Sequence, residues 1–229
     1  MLGNNVREIQ EIDIAMGQWI AENIPAEETI AIDDIGAIVF HSPRSIVDLN
    51  GLVSPEMWPV MADEEFNTAT IHLLAHANVT HLAVFPKWHP PLVNDPAMAR
   101  PIQRFHTKTH TIIGEKEAVV YEMDWPYRSR IEPEFERFVR LGDVINLRGY
   151  DFTAVPDQSA LMLTLYWESI SATATNYKVF IHVMDADGRI MAQVDRFPVN
   201  GLAPTYRWQP GDLVRDPYQI PLPPNLPAG

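Results

Sequence analysis

The most constraining feature of this chain is the stretch 28–56, ETIAIDDIGAIVFHSPRSIVDLNGLVSPE, in which two short apolar runs each end in acidic residues and each is followed by a glycine. Residues 29–32 have the β-branched content of a buried strand, and residues 45–47 repeat it, so both read as parallel strands of an α/β sheet. Asp33, Asp34 and Asp48 then stand at the carboxyl ends of those strands, the edge at which open α/β sheets bind ligands. Converging carboxylates suit a hard cation or the hydroxyls of a sugar. The same residues also cap turns by accepting backbone N–H bonds, so a structural role stands beside the ligand-binding one. His41 and Arg44, between the two runs, are the nearest groups expected to counter the acids.

Around this stretch the chain reads as one α/β module. Asn4 or Asn5 caps a helix with Val6, Ile9, Met16 and Ile20 at roughly helical spacing, and Pro25 stops it. A short helix is expected over 37–40 and another from Asp63, with Phe66, Ala69, Leu73 and Ala77 on one side. Residues 81–85 form a third strand, 88–101 a long proline-bearing loop, and 109–113 with 118–123 a hairpin across 114–117. The Rossmann-like α/β domain is therefore placed at 1–127, and the charged run that follows is assigned as a linker over 128–140.

From Leu141 the period changes to two. Strands are expected over 144–147, 161–167, 177–183, 190–194 and 213–220, with turns at Pro156-Asp157 and at Asp185-Ala186-Asp187-Gly188. This gives 141–229 as an antiparallel β-sandwich of immunoglobulin or carbohydrate-module type. Trp167 lies in an alternating strand and belongs to the core, whereas Tyr206, Arg207 and Trp208 fall in a loop, where aromatic side chains form a platform for a sugar ring or else pack inward.

No complete catalytic constellation appears. A glycine follows the first strand, but the G-x-G-x-x-G set that cradles a pyrophosphate is absent. His72 and His76 have the spacing of a zinc pair, yet Leu73, Leu74 and Ala75 lie between them in place of the glutamate of H-E-x-x-H. G-x-S-x-G does not occur. Glu56 with Glu64 or Glu65 is explained by a helix start. No catalytic residue, metal or cofactor is therefore assigned.

A formal net charge of −13 and a pI near 4.9 argue against nucleic acid and anionic membrane surfaces as partners, because both require clustered Lys and Arg. With no Cys, the chain offers neither disulfide nor thiolate chemistry. No apolar run approaches the roughly 20 residues of a membrane helix.

Three groups of motifs carry a family resemblance. The first is Gly17-Gln18-Trp19-Ile20, Asn23-Ile24-Pro25, Ile32-Asp33-Asp34-Ile35-Gly36-Ala37-Ile38 and Ile46-Val47-Asp48-Leu49-Asn50-Gly51-Leu52-Val53-Ser54-Pro55-Glu56. The second is Leu82-Ala83-Val84-Phe85-Pro86-Lys87-Trp88. The third is Leu165-Tyr166-Trp167, Val179-Phe180-Ile181-His182-Val183, Asp185-Ala186-Asp187-Gly188-Arg189 and Tyr206-Arg207-Trp208-Gln209-Pro210-Gly211-Asp212. Together they resemble the soluble region behind the transmembrane helices of bacterial GT-C glycosyltransferases, of the protein-mannosyltransferase and aminoarabinose-transferase type. The resemblance implies a non-catalytic extracytoplasmic region at a bacterial membrane. Its partners would be the transmembrane portion of the same polypeptide and a glycan or glycolipid acceptor. It also implies truncation at the C-terminus, since members of that family continue past a turn such as Leu222-Pro223-Pro224-Asn225 into at least one more strand. The family's catalytic aspartate lies between membrane helices, and no position here matches it. A stand-alone carbohydrate-binding or scaffold protein of the cell envelope is the alternative.

Overall fold

In the computed structural model, which describes residues 2–155 and 160–223, three parallel strands form one side of the first sheet. These are β1 (Thr29–Ile32), β2 (Ile46–Asp48) and β3 (Val79–Val84). Two further strands, β4 (Ala99–His106) and β5 (Glu117–Met123), run antiparallel to one another, and β5 pairs antiparallel with β3. The order is β2-β1-β3-β5-β4. The chain leaves β1 to one side and returns on the other, so the topological switch point lies between β1 and β3. Chain contacts divide the protein into two units, Met1–Trp125 and Pro126–Gly229.

One face of the first sheet is covered by a helix that runs from Leu2 to Asn23 as α1 (Leu2–Ile9), a π-helical turn (Gln10–Ile14) and α2 (Ala15–Asn23). Its Ile12, Met16 and Ile20 pack with Ile30 and Ile32 of β1, Ala83 next to β3's end, and Ala118 and Val120 of β5. Ile24 takes extended backbone angles before Pro25, which ends the helix as expected from a residue that precedes proline. Near its other end the buried Glu8 accepts the N–H groups of Thr111 and Ile112 and the Thr111 hydroxyl, fixing the β4–β5 loop. Burial would raise the Glu8 carboxyl, but these bonds and one from Thr109 hold it at about 2.

Between the parallel strands lie α3 (Gly36–His41), α4 (Met57–Met61) and α5 (Phe66–His76), and α6 (Pro90–Val93) follows β3. The α5 start lies at Phe66, three residues past Asp63, because Asp63 is used to cap a turn through the Glu65 N–H. The hairpin partner of β5 is 99–106 and not 109–113. Its sequence, Ala-Arg-Pro-Ile-Gln-Arg-Phe-His, lacks clean alternation because the strand is a largely exposed edge with Pro101 at a bulge.

The second unit holds a five-stranded antiparallel sheet in the order β6-β12-β9-β8-β7 and a separate pair, β10-β11. The strands are β6 (Tyr127–Arg128), β7 (Phe135–Leu141), β8 (Ile145–Val155), β9 (Ala160–Ser169), β10 (Val179–Met184), β11 (Ile190–Arg196) and β12 (Leu213–Pro221). The stretch 128–140, assigned above as a linker, contains β7, which pairs with β8. Its charges misled because β7 is exposed along its whole length. The Asp185–Gly188 turn forms as expected, with Asp185 Oδ1 accepting the N–H groups of Asp187 and Arg189. The turn expected at Pro156-Asp157, and the segment 224–229, lie outside the described residues.

Gly17 is required by the helix that opens the chain, since a Cβ there would stand 2.9 Å from the Ile38 carbonyl oxygen of α3. Gly17→Ala is expected to destabilise the first unit by about 1–3 kcal/mol through this overpacking, read as a lower urea midpoint with unchanged slope.

Candidate functional site

The carboxyl edge of β1 and β2 is built from two aspartates with different surroundings. Asp48, fully buried, accepts the N–H of Asn50 at 3.0 Å through Oδ1, and those of Leu52 and Val53 at 2.6 and 3.1 Å through Oδ2. Its own N–H donates to Ser54 Oγ at 2.9 Å. The loop after β2 therefore folds around one carboxylate whose oxygens are engaged by backbone. Asn50 Nδ2 then donates to the Asp33 carbonyl at 2.5 Å, tying this loop to the end of β1.

Asp33 occupies the switch point. Its Oδ2 accepts the Phe85 N–H at 2.8 Å, strapping β1 to the residue just past β3, and His89 Nε2 lies 3.2 Å from the same oxygen. The other oxygen, Oδ1, is buried without a hydrogen-bond partner among the described residues, and so is Oδ1 of Asp13 on the π-helical turn. Burial raises the Asp33 carboxyl, against the neighbouring His89 ring and the Phe85 N–H that lower it, and Asp34 adds to the rise. Asp13 is pushed up to about 7, first by burial and then by repulsion from Asp34 and Asp33. Asp13 and Asp33 are thus two carboxyl groups whose burial and mutual repulsion favour the protonated form, with His89 3.2 Å from Asp33 as the basic contact. Within the first unit, among the described residues, no three His, Asp or Glu side chains converge closely enough to hold a metal ion.

The remaining expected site residues separate from this cluster. Asp34 is half-buried and its Oδ1 accepts the Gly36 N–H at 3.3 Å, a cap for the turn into α3. Arg44 does not counter the acids. Its Nη1 donates to the carbonyls of Ile24 and Pro25 at 2.8 Å each and its Nε to Ser42 Oγ, because the chain between α2 and β1 leaves those carbonyls without helical partners. His41 packs edge-on against Phe40, with ring centroids 5.2 Å apart. His76 Nδ1 lies 2.8 Å from the His72 carbonyl and the two rings sit 4.1 Å apart on α5.

In the second unit Trp208 is only 2% exposed and donates its N–H to the Ala203 carbonyl at 2.9 Å, so it is not an open platform. The short 3-10 turn Thr205–Arg207 carries half-buried Tyr206 and Arg207 and turns the indole inward. Trp167 is buried, as expected, and its N–H points to Asp216 at 3.3 Å.

Asp13 and His89 were not singled out from sequence. The signal for Asp13 was an acid inside an apolar helical stripe, flanked by Ile9, Ile12 and Met16. His89 had only its place in a loop after a strand.

The comparisons with known proteins add one match. The family described as "Domain of unknown function (DUF8728)" matches residues 4–131. No curated protein and no solved structure matches the chain.

Two measurements check this geometry. Asp48→Ala leaves three backbone N–H groups without their acceptor and is expected to cost roughly 2–4 kcal/mol in urea unfolding of the first unit. For Asp13 the folded value lies above the unfolded one of 3.8, so its contribution to stability is fully present below pH 4 and is lost as pH rises through 7. Thermal midpoints are expected to fall between pH 5 and 8, and Asp13→Asn to flatten that fall, by on the order of 2 kcal/mol after allowance for solvent reaching the carboxyl.

Proposed function

The chain belongs to the DUF8728 family, and we propose that it is the non-catalytic extracytoplasmic region of a bacterial membrane glycosyltransferase that uses a polyprenyl-phosphate sugar. In this reading it positions or recognises the acceptor, and its first partner is the transmembrane portion of the same polypeptide. The observation that carries the reading is the use made of the residues that bear the resemblance. Asp48 and Asp34 hold backbone N–H groups, Asn50 ties one strand end to the other, and Gly17 admits α3. These are roles in maintaining a shape, which suits a region whose chemistry is done elsewhere.

Beside them the β2–α4 segment presents Leu52, Val53, Trp58 and Met61 to the exterior, each more than half exposed. The Trp58 indole is oriented by its bond to the Gly51 carbonyl at 2.9 Å. An apolar group with an anchored tryptophan suits contact with a membrane-embedded portion. The parallel order β2-β1-β3 supports a Rossmann-like description of the first unit, and the antiparallel pairing of the second supports a sandwich of immunoglobulin or carbohydrate-module type.

The test pairs an assay with a reading frame. Incubated with a polyprenyl-phosphate sugar and acceptor, the chain alone is expected to give no turnover, and its gene to lie in frame behind segments encoding many membrane helices. Turnover by the chain alone would overturn the reading. A gene without such segments would point instead to a stand-alone envelope protein.

A further inference from the structure

The second unit contains an open cleft of about 640 Å³ between the β10-β11 pair and the five-stranded sheet, within the range of ligand sites, roughly 300–1,000 Å³. Its walls are Leu141, Val144, Ile145, Val179, Phe180 and Pro198, and both Trp167 and Trp208 line it. Thr205 and the two indole N–H groups of that lining are already engaged. Thr205 Oγ1 donates to the Thr175 carbonyl at 2.7 Å and accepts the Tyr177 N–H at 2.8 Å. The two indole N–H groups are bonded to Asp216 and to the Ala203 carbonyl.

Such a surface is poorly equipped for a sugar, which needs several hydrogen-bonding partners besides aromatic faces. It is well equipped for a hydrocarbon chain. No carboxylate belongs to the lining, and its one cation is Lys178. In a chain of net charge −13, the Lys178 ammonium has no ion-pair partner among the described residues and rests 5.4 Å from the Phe197 ring.

We propose that this cleft binds a single-chain amphiphile with an anionic head, the chain lying against Phe180, Val144 and the two tryptophans and the head meeting Lys178. The site is independent of the glycosyltransferase reading, since it rests only on residues of the second unit. Charge selects the occupant, because an anionic head pairs with the Lys178 ammonium and a neutral one does not. Carboxylate and phosphate heads share this chemistry.

The test is a titration of the full chain, below the critical micelle concentration, with dodecyl phosphate, laurate and neutral dodecanol, followed by tryptophan fluorescence and calorimetry. Saturable one-to-one binding of the two anions is expected, and their ratio identifies the preferred head. Lys178→Glu is expected to weaken the anions at least about tenfold and dodecanol less than about twofold, whereas Phe180→Ala weakens all three. Both residues are exposed, so the variants are expected to keep the parent's thermal midpoint, which is measured alongside. Absence of saturable binding would overturn the proposal. So would a Lys178→Glu variant that binds dodecyl phosphate as tightly as the parent, or a sedimentation profile in which a second copy fills the cleft and Phe180→Ala restores the monomer.

Discussion

A buried carboxylate that accepts three backbone N–H groups is the constraint on which the first unit's working edge depends. The loop after β2 turns sharply around the buried Asp48, aiming three backbone N–H groups at its side chain. Asp48 supplies the missing acceptors, and the loop it organises sends Asn50 to the end of β1 and Trp58 to the outside. The second unit repeats the device on another scaffold. Asp216, fully buried, accepts the Tyr218 hydroxyl, the Trp167 N–H and the N–H of Val199, which stands in the left-handed region at φ 50. Arg196 lies over the Tyr218 ring and 3.5 Å from the same carboxylate. In both units one acid fixes a segment that regular hydrogen bonding does not reach.

The parts of the fold that were legible in the sequence are those with a strong local signal. The β-branched runs at 29–32 and 45–47, the proline at 25 and the Asp185–Gly188 turn each specify a backbone conformation without outside help. Where the structure departs from expectation, a tertiary effect has replaced the local one. β4 and β7 are exposed strands whose side chains serve solvent, so their composition resembles that of loops and linkers. The hairpin was displaced toward 109–113 because those threonines and isoleucines look strand-like, yet they answer to Glu8 from more than a hundred residues away in sequence.

The candidate site was half legible for the same reason. The acids at the strand ends could be located from spacing, but the partner of each depends on which distant segment arrives beside it. Arg44 was near Asp33 in sequence and is engaged with the carbonyls of Ile24 and Pro25, while His89, 56 positions along, supplies the basic contact. Trp208 followed the same pattern, since nothing local announces that a 3-10 turn will carry an indole inward.

The exposed strand β7 has a consequence for how this protein behaves in concentrated solution. A free edge that displays Phe135, Phe138, Val139 and Leu141 is a template for pairing with another chain. What interrupts it is a bulge between Glu136 and Val139 and the charges of Glu136, Arg137 and Arg140 set among the apolar residues. Those charges act as gatekeepers whose reach is limited by the counter-ion cloud. The colloidal solubility of the chain is therefore coupled to ionic strength through seven residues that take no part in its core.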